Sequence, residues 1–179
     1  MFINQKILKF LIFFFCFSIF SSISQTNEDV PLNNIVINEI PKLISPVIFE
    51  DFSGNEISLK DYHGKLVIVN FWATWCTPCK KEMPSLDRFL KDKNFKNLQA
   101  FAVNVELPNK LKTKKFFTDL NIEELEIFFD NNLNFVKEFK IRGVPTTILI
   151  NKKGEEFARI IGEVNFQDKK FLKWLSKYD

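Results

Sequence analysis

The stretch Phe71-Trp72-Ala73-Thr74-Trp75-Cys76-Thr77-Pro78-Cys79-Lys80 decides the reading of this chain. Leu66-Val67-Ile68-Val69 runs into it without polar alternation, which predicts a strand buried on both faces. An amphipathic stretch leaves it: Cys79, Met83, Leu86 and Leu90 recur at steps of four, three and four, one face of a helix. The two thiols therefore sit where a buried strand turns into a helix. Unpaired N–H groups and the positive dipole end of a helix N-terminus favour a thiolate over a thiol. Cys76 is predicted to be the exposed, acidic nucleophile and Cys79, a turn further in, the resolving thiol. Two intervening residues keep the second sulfur near enough to release a mixed disulfide. The bland alternative is a structural disulfide.

Outside this stretch, composition mostly excludes. A chain of 179 residues with 46% hydrophobic content suits one domain plus appendages. Formal net charge is +3, but Lys6 and Lys9 lie in an N-terminal segment without acids, so the rest is nearly neutral. That balance argues against a nucleic-acid partner. Five glycines, none in a phosphate-cradling pattern, give no nucleotide loop. The cysteines are Cys16, Cys76 and Cys79, and the one histidine is His63. A tetrahedral zinc site needs four ligands; Cys76 and Cys79 supply two and His63 at best a third. Covalent haem attachment needs a histidine directly after the second cysteine, where Lys80 stands. His63 reads as a surface turn residue with no role.

Residues 1–24 read as a signal peptide. Lys6 and Lys9 precede the apolar core Phe10–Phe20, which is short for a membrane span, and Ser22-Ile23-Ser24 offers a cleavage site. The competing reading is an uncleaved N-terminal anchor, in which case the membrane is touched by that segment alone. Cys16 follows Phe13-Phe14-Phe15, too bulky for lipoprotein processing, and reads as a bystander. A signal plus a CxxC pair implies redox chemistry outside the cytosol. Residues 25–40 are polar and aperiodic and read as a leader or linker, which leaves 41–179 as the domain.

Val47–Leu59 predicts a β-hairpin turning at Ser53-Gly54-Asn55. A helix is expected over about Thr77–Lys91, with Pro84 inside it. Leu98–Val105 reads as a strand, Lys110–Leu120 as a helix, Glu126–Phe129 as a short strand and Leu133–Lys140 as a short helix. Pro145 stands at the start of the β-branched run Thr146–Ile150. Asn151-Lys152-Lys153-Gly154 turns that strand into another, Glu155–Ile161. The last helix is expected to begin at Asn165, with Asp168 as a capping-box partner.

The string from Val69 to Pro84, with Trp75-Cys76-Thr77-Pro78-Cys79 at its centre and Val144-Pro145-Thr146 downstream, resembles the TlpA/ResA-like branch of the thioredoxin superfamily, extracytoplasmic thiol–disulfide proteins. The resemblance implies an α/β thioredoxin-like fold: a mixed central sheet flanked by helices, with the hairpin as an N-terminal extension. It implies that Pro145 is the cis-proline facing the cysteines. The Val144 backbone is then free to pair with an extended substrate. Trp75 would shield Cys76, and Thr77 and Pro78 would tune the pair and border the substrate. Cytosolic thioredoxins bury an aspartate where this chain has Asn70, and the branch often uses a glutamate after the next strand. Glu106 is therefore the expected proton acceptor for Cys79, its pKa raised by burial.

The activity implied is thiol–disulfide exchange with protein clients, most readily as a reductant and in cytochrome c maturation. Electrons would come from a thiol–disulfide donor at the membrane. No cofactor is implied beyond the redox-active disulfide. A periplasmic thiol oxidase and a non-catalytic thioredoxin-fold binding module or chaperone are the alternatives. A peroxidase fits less well, since Ala73 and Cys76 stand three residues before the two cysteines, where a peroxidatic threonine is expected.

Overall fold

The structure, a computed structural model, describes residues 31–179. The signal or anchor expected over 1–24, and the start of the leader, lie outside the described residues. Pro31–Asp179 forms one compact unit. Eight strands make one mixed sheet: β1 (Ile35–Leu43), β2 (Ile48–Asp51), β3 (Glu56–Ser58), β4 (Leu66–Trp72), β5 (Leu98–Asn104), β6 (Ile127–Phe129), β7 (Thr146–Ile150) and β8 (Glu155–Ile161). Their order across the sheet is β1-β8-β7-β4-β5-β6-β2-β3. β4, β5 and β6 run parallel, and the other pairings are antiparallel. Four α-helices accompany them: α1 (Thr77–Phe89), α2 (Lys110–Asp119), α3 (Asn134–Glu138) and α4 (Lys169–Leu175).

β4 explains why the sheet has two cores. All its residues are buried. Alternate side chains of a strand point to opposite faces. Leu66, Ile68 and Trp72 enter one core with Met83, Leu86 and Phe89 of α1, Phe116 and Phe117 of α2, and Trp174 and Leu175 of α4. Val67, Val69 and Phe71 enter the other, with Phe49 of the hairpin and Phe135 of α3. Asn70 has the parity of the first set, so it faces the α1 layer. Trp72 stacks on Phe116 with ring centroids 4.6 Å apart, which makes it support beneath the cysteines. On the opposite face Phe49 meets Phe101, Phe128 and Phe135 edge-on at 4.8–5.3 Å. The hairpin is thus the lid of the second core as well as two added strands.

Two expectations change. Residues 35–40, read as leader, belong to β1, which pairs with β8 from Ile35↔Ile160 to Ile37↔Ala158 and again at Lys42↔Glu156 and Leu43↔Glu155. Between these pairings the strand bulges, held by Asn38 Nδ2 donating to the Glu156 carbonyl at 2.9 Å. Ile35 is its one buried residue, so hydrogen bonds to the sheet edge hold it more than apolar burial does. The last helix begins at Lys169 rather than Asn165. Asp168 is its N-cap, accepting from the N–H groups of Lys170 and Phe171. Asn165 instead closes the preceding turn, its side chain accepting from the Gln167 N–H.

Candidate active site

Three chain segments meet at one end of the sheet. β4 ends at Trp72 and leads into the cysteines. β5 runs parallel beside it, with Asn104 opposite Trp72 and the Val105 N–H donating to the Trp72 carbonyl. β7 runs antiparallel on the other side, with Thr146 opposite Phe71. Pro145, one residue before β7, therefore stands at the strand end that carries the cysteines. The Val144–Pro145 peptide bond is cis. Val144 packs against the core cluster that contains Cys76 and Cys79, and the Pro145 carbonyl accepts from the Gly162 N–H at 2.9 Å.

Cys76 and Cys79 form a disulfide with Cα atoms 5.3 Å apart. Cys76 is the N-cap of α1, and its sulfur accepts from the Cys79 N–H at 3.2 Å. The same first-turn N–H favours a negative charge on the Cys76 sulfur once the disulfide opens. Thr77 begins the helix and Pro78 follows at its second position, where the missing N–H costs little. Cys76 is less open than expected: it is 3% exposed and Cys79 fully buried. Cys76 packs within the same apolar cluster as Trp72, Ala73 and Met83, with Val144 against it. Trp75, 66% exposed, is the accessible apolar surface beside the pair.

Glu106 stands close to the cysteine loop, but in a different electrostatic setting from the one expected. Its carboxylate accepts from the Thr74 N–H and hydroxyl and from Lys112 Nζ, the last at 2.8 Å. Burial pushes its pKa up, yet the Lys112 and Thr74 hydrogen bonds outweigh that, and the net shift is downward. The expected upward shift does not occur. Glu106 is an ionised clamp on the turn that precedes Trp75 and Cys76.

The raised carboxyl lies elsewhere, at Glu82, which sequence reasoning passed over. Glu82 is three residues after Cys79 on α1, so the two share a helix face. It is 2% exposed. Oε1 accepts from Asn70 Nδ2 at 2.8 Å and Oε2 from the Val164 N–H at 3.0 Å. Burial pushes its pKa up to about 7 against those two hydrogen bonds, with the charge of Glu163 adding to the rise. The available signal was an acid on the apolar face of a helix one turn after a thiol. In the string Lys80-Lys81-Glu82 it reads instead as part of a solvated charge run.

Residues 37–155 match the AhpC/TSA family. The chain is 37% identical over 108 residues to the thiol-disulfide oxidoreductase ResA of Halalkalibacterium halodurans, covering 60% of each chain. It is 35% identical over 121 residues to ResA of Geobacillus kaustophilus, covering 68% of each. Among solved structures, StoA from Bacillus subtilis superposes with a TM-score of 0.62 at 27% identity, over 74% of this chain and 99% of that one. A secreted thiol-disulfide isomerase from Corynebacterium glutamicum shares the fold with a TM-score of 0.68 at 20% identity, over 80% and 92%. The disulfide at a helix N-cap, the cis-proline at the adjoining strand end and these matches agree: the chain belongs to the AhpC/TSA family, as a TlpA/ResA-like member of the thioredoxin superfamily, a family of oxidoreductases.

Proposed function

We propose that this chain exchanges disulfides with protein clients outside the cytosol, with Cys76 as the attacking thiol and Cys79 as the resolving one. The observation that carries the reading is the seat of Cys76 at the N-cap of α1, with a first-turn N–H on its sulfur and a buried carboxyl one turn beyond Cys79.

In the reducing direction the Cys76 thiolate attacks one sulfur of a client disulfide. The other client sulfur leaves as a thiolate and takes a proton from water. Cys79 then gives its proton to Glu82 and attacks the Cys76 sulfur. The Cys76–Cys79 disulfide forms, the client's second thiolate departs, and two electrons have passed to the client. Glu82 replaces Glu106 as the proton acceptor in this scheme, because a carboxyl that titrates near the working pH exchanges protons with a thiol more readily than one held ionised by Lys112.

Trp75, Thr77, Pro78, Val144 and Pro145 border the client. Beside Pro145 a groove of about 530 Å³, lined by Arg142, Val144, Ile161 and Gly162 among others, has room for an extended segment. Net reduction, regeneration by a thiol donor at the membrane and a part in cytochrome c maturation belong to the same proposal and rest on the resemblance to the TlpA/ResA-like branch. No cofactor enters the scheme.

The test is single-turnover exchange between the reduced protein and a disulfide-linked peptide. The wild type should reduce it, Cys76→Ser should not, and Cys79→Ser should accumulate a one-to-one mixed disulfide. A wild type that fails to reduce the peptide would return the protein to the binding-module reading, and exchange that survives in Cys76→Ser would overturn Cys76 as the attacking thiol. Equilibration with glutathione then gives the direction, since a reductant has a potential below that of the surrounding thiol pool.

A further inference from the structure

Glu82 does not stand alone in the core. Asn70 is fully buried at the centre of the sheet and shares its two amide protons between Glu82 Oε1 at 2.8 Å and Thr147 Oγ1 at 3.0 Å. Thr147 is its direct cross-strand partner on β7 and is equally buried. The Asn70 Oδ1 atom is buried and has no hydrogen-bond partner. Such an orphaned acceptor is uncommon in a core and asks for an explanation.

The donors around Glu82 suit its ionised form, with one N–H on each oxygen. Adding a proton turns one of those oxygens into a donor that needs an acceptor. The Val164 N–H belongs to the backbone and cannot reverse. The Asn70 amide can. Rotation of its terminal torsion by about 180° exchanges oxygen and nitrogen, since the two ends of the amide are nearly the same size. Oδ1 would then stand where Nδ2 stood, within reach of both Glu82 and Thr147. A protonated Glu82 donates to it, and the Thr147 hydroxyl, which can donate as well as accept, turns to do the same. Each state keeps two hydrogen bonds and leaves one end of the amide unpaired. An aspartate at this position, ionised, would set a second charge against Glu82, and an apolar residue would serve neither state.

We propose that Asn70 is a positioning residue that reverses its side-chain amide as Glu82 takes and releases the Cys79 proton, so that the buried carboxyl is hydrogen-bonded in both protonation states. The inference rests on Glu82 as the proton acceptor. Among the described residues, the groups that meet Glu82 are Asn70 on β4, uncharged and itself bonded to Thr147 on β7, the Val164 N–H, and the charge of Glu163 after β8, which Lys81 approaches at 3.8 Å on the exposed side.

The experiment is a pH titration of the oxidised, isotopically labelled protein by NMR, following the Glu82 carboxyl carbon and the Asn70 side-chain amide protons together. The amide protons should shift with the same midpoint as the carboxyl and lose their Overhauser contacts with Thr147 on the acid side. Contacts with Thr147 that persist below the Glu82 midpoint would overturn the reversal. An Asn70→Leu variant provides a second reading. A reversing amide bonds Glu82 in both states, so without it the Glu82 midpoint should rise by less than the roughly tenfold or more that losing a hydrogen bond to the ionised form alone would cause. A rise of about tenfold or more in a folded variant would also overturn the reversal. Failure of the underlying assignment shows separately, as an unchanged rate of mixed-disulfide resolution in Glu82→Gln although the Asn70 amide of the wild type follows the Glu82 midpoint.

Discussion

In the folded chain Glu82 keeps a proton up to about pH 7, whereas its ordinary value is 4.5. Between those values the folded state binds more protons than the unfolded one, so stability falls as pH rises through the window. The cost is complete above pH 7 and amounts to roughly 3 kcal/mol at most. Urea unfolding of the oxidised protein should therefore show lower stability at pH 8 than at pH 5. Glu82→Gln should remove most of that difference, and an equal slope in the variant would refute the assignment. Glu106 has the opposite sign. Its depressed pKa contributes stability that is present above the ordinary value of 4.5 and lost as pH falls through the folded value. Lys112→Met should raise the Glu106 pKa and bring acid unfolding to higher pH, seen as a displaced acid limb. At this scale the cysteines were legible because their spacing is itself the signal, and Pro145 through the family resemblance of its Val144-Pro145-Thr146 setting. Glu82 was not, because the contacts that mark it come from Asn70, twelve residues back, and from Val164, eighty-two residues on. No local pattern carries contacts of that span.

Among the elements, those with a strong period were readable and those held by edge pairing were not. β4 and α1 were legible from an uninterrupted apolar run and a helical stripe. β1 was not, since Ile35-Val36-Ile37 is too short a run and Pro41 breaks the pattern, and the strand exists because the edge of β8 accepts it. The start of α4 was misplaced because Asn165 and Asp168 are both good caps in sequence, and only the turn between them decides which one caps. Asp168→Ala should cost about 1 kcal/mol, the worth of an N-cap, measured by denaturant unfolding; Asn165→Ala should cost less. The hairpin carries more. Phe49 is 2% exposed with three aromatic neighbours, so Phe49→Ala should destabilise the domain by roughly 3–5 kcal/mol. A loss under about 1 kcal/mol would mean that the hairpin is an appendage and not part of the core.

Over the whole molecule, the sheet order explains why the chemistry gathers where it does. β4 is central, flanked by parallel β5 and antiparallel β7, so the end of β4, the end of β5 and the start of β7 meet. Those three ends bring the cysteine pair, Glu106 and Pro145 to one side. The turn of α1 behind the pair and the chain after β8 bring Glu82 and Val164 together beneath it. The fold class follows from the order of elements, but the division of labour between two carboxylates follows from what surrounds each. The most direct measurement is the pH dependence of mixed-disulfide resolution, followed by rapid quench with a disulfide-linked peptide. In the wild type the rate should rise through an inflection near pH 7. Glu82→Gln should lose that inflection and resolve on the order of a hundredfold more slowly, while Glu106→Gln keeps it. Resolution in Glu82→Gln at the wild-type rate, with the inflection intact, would contradict the account.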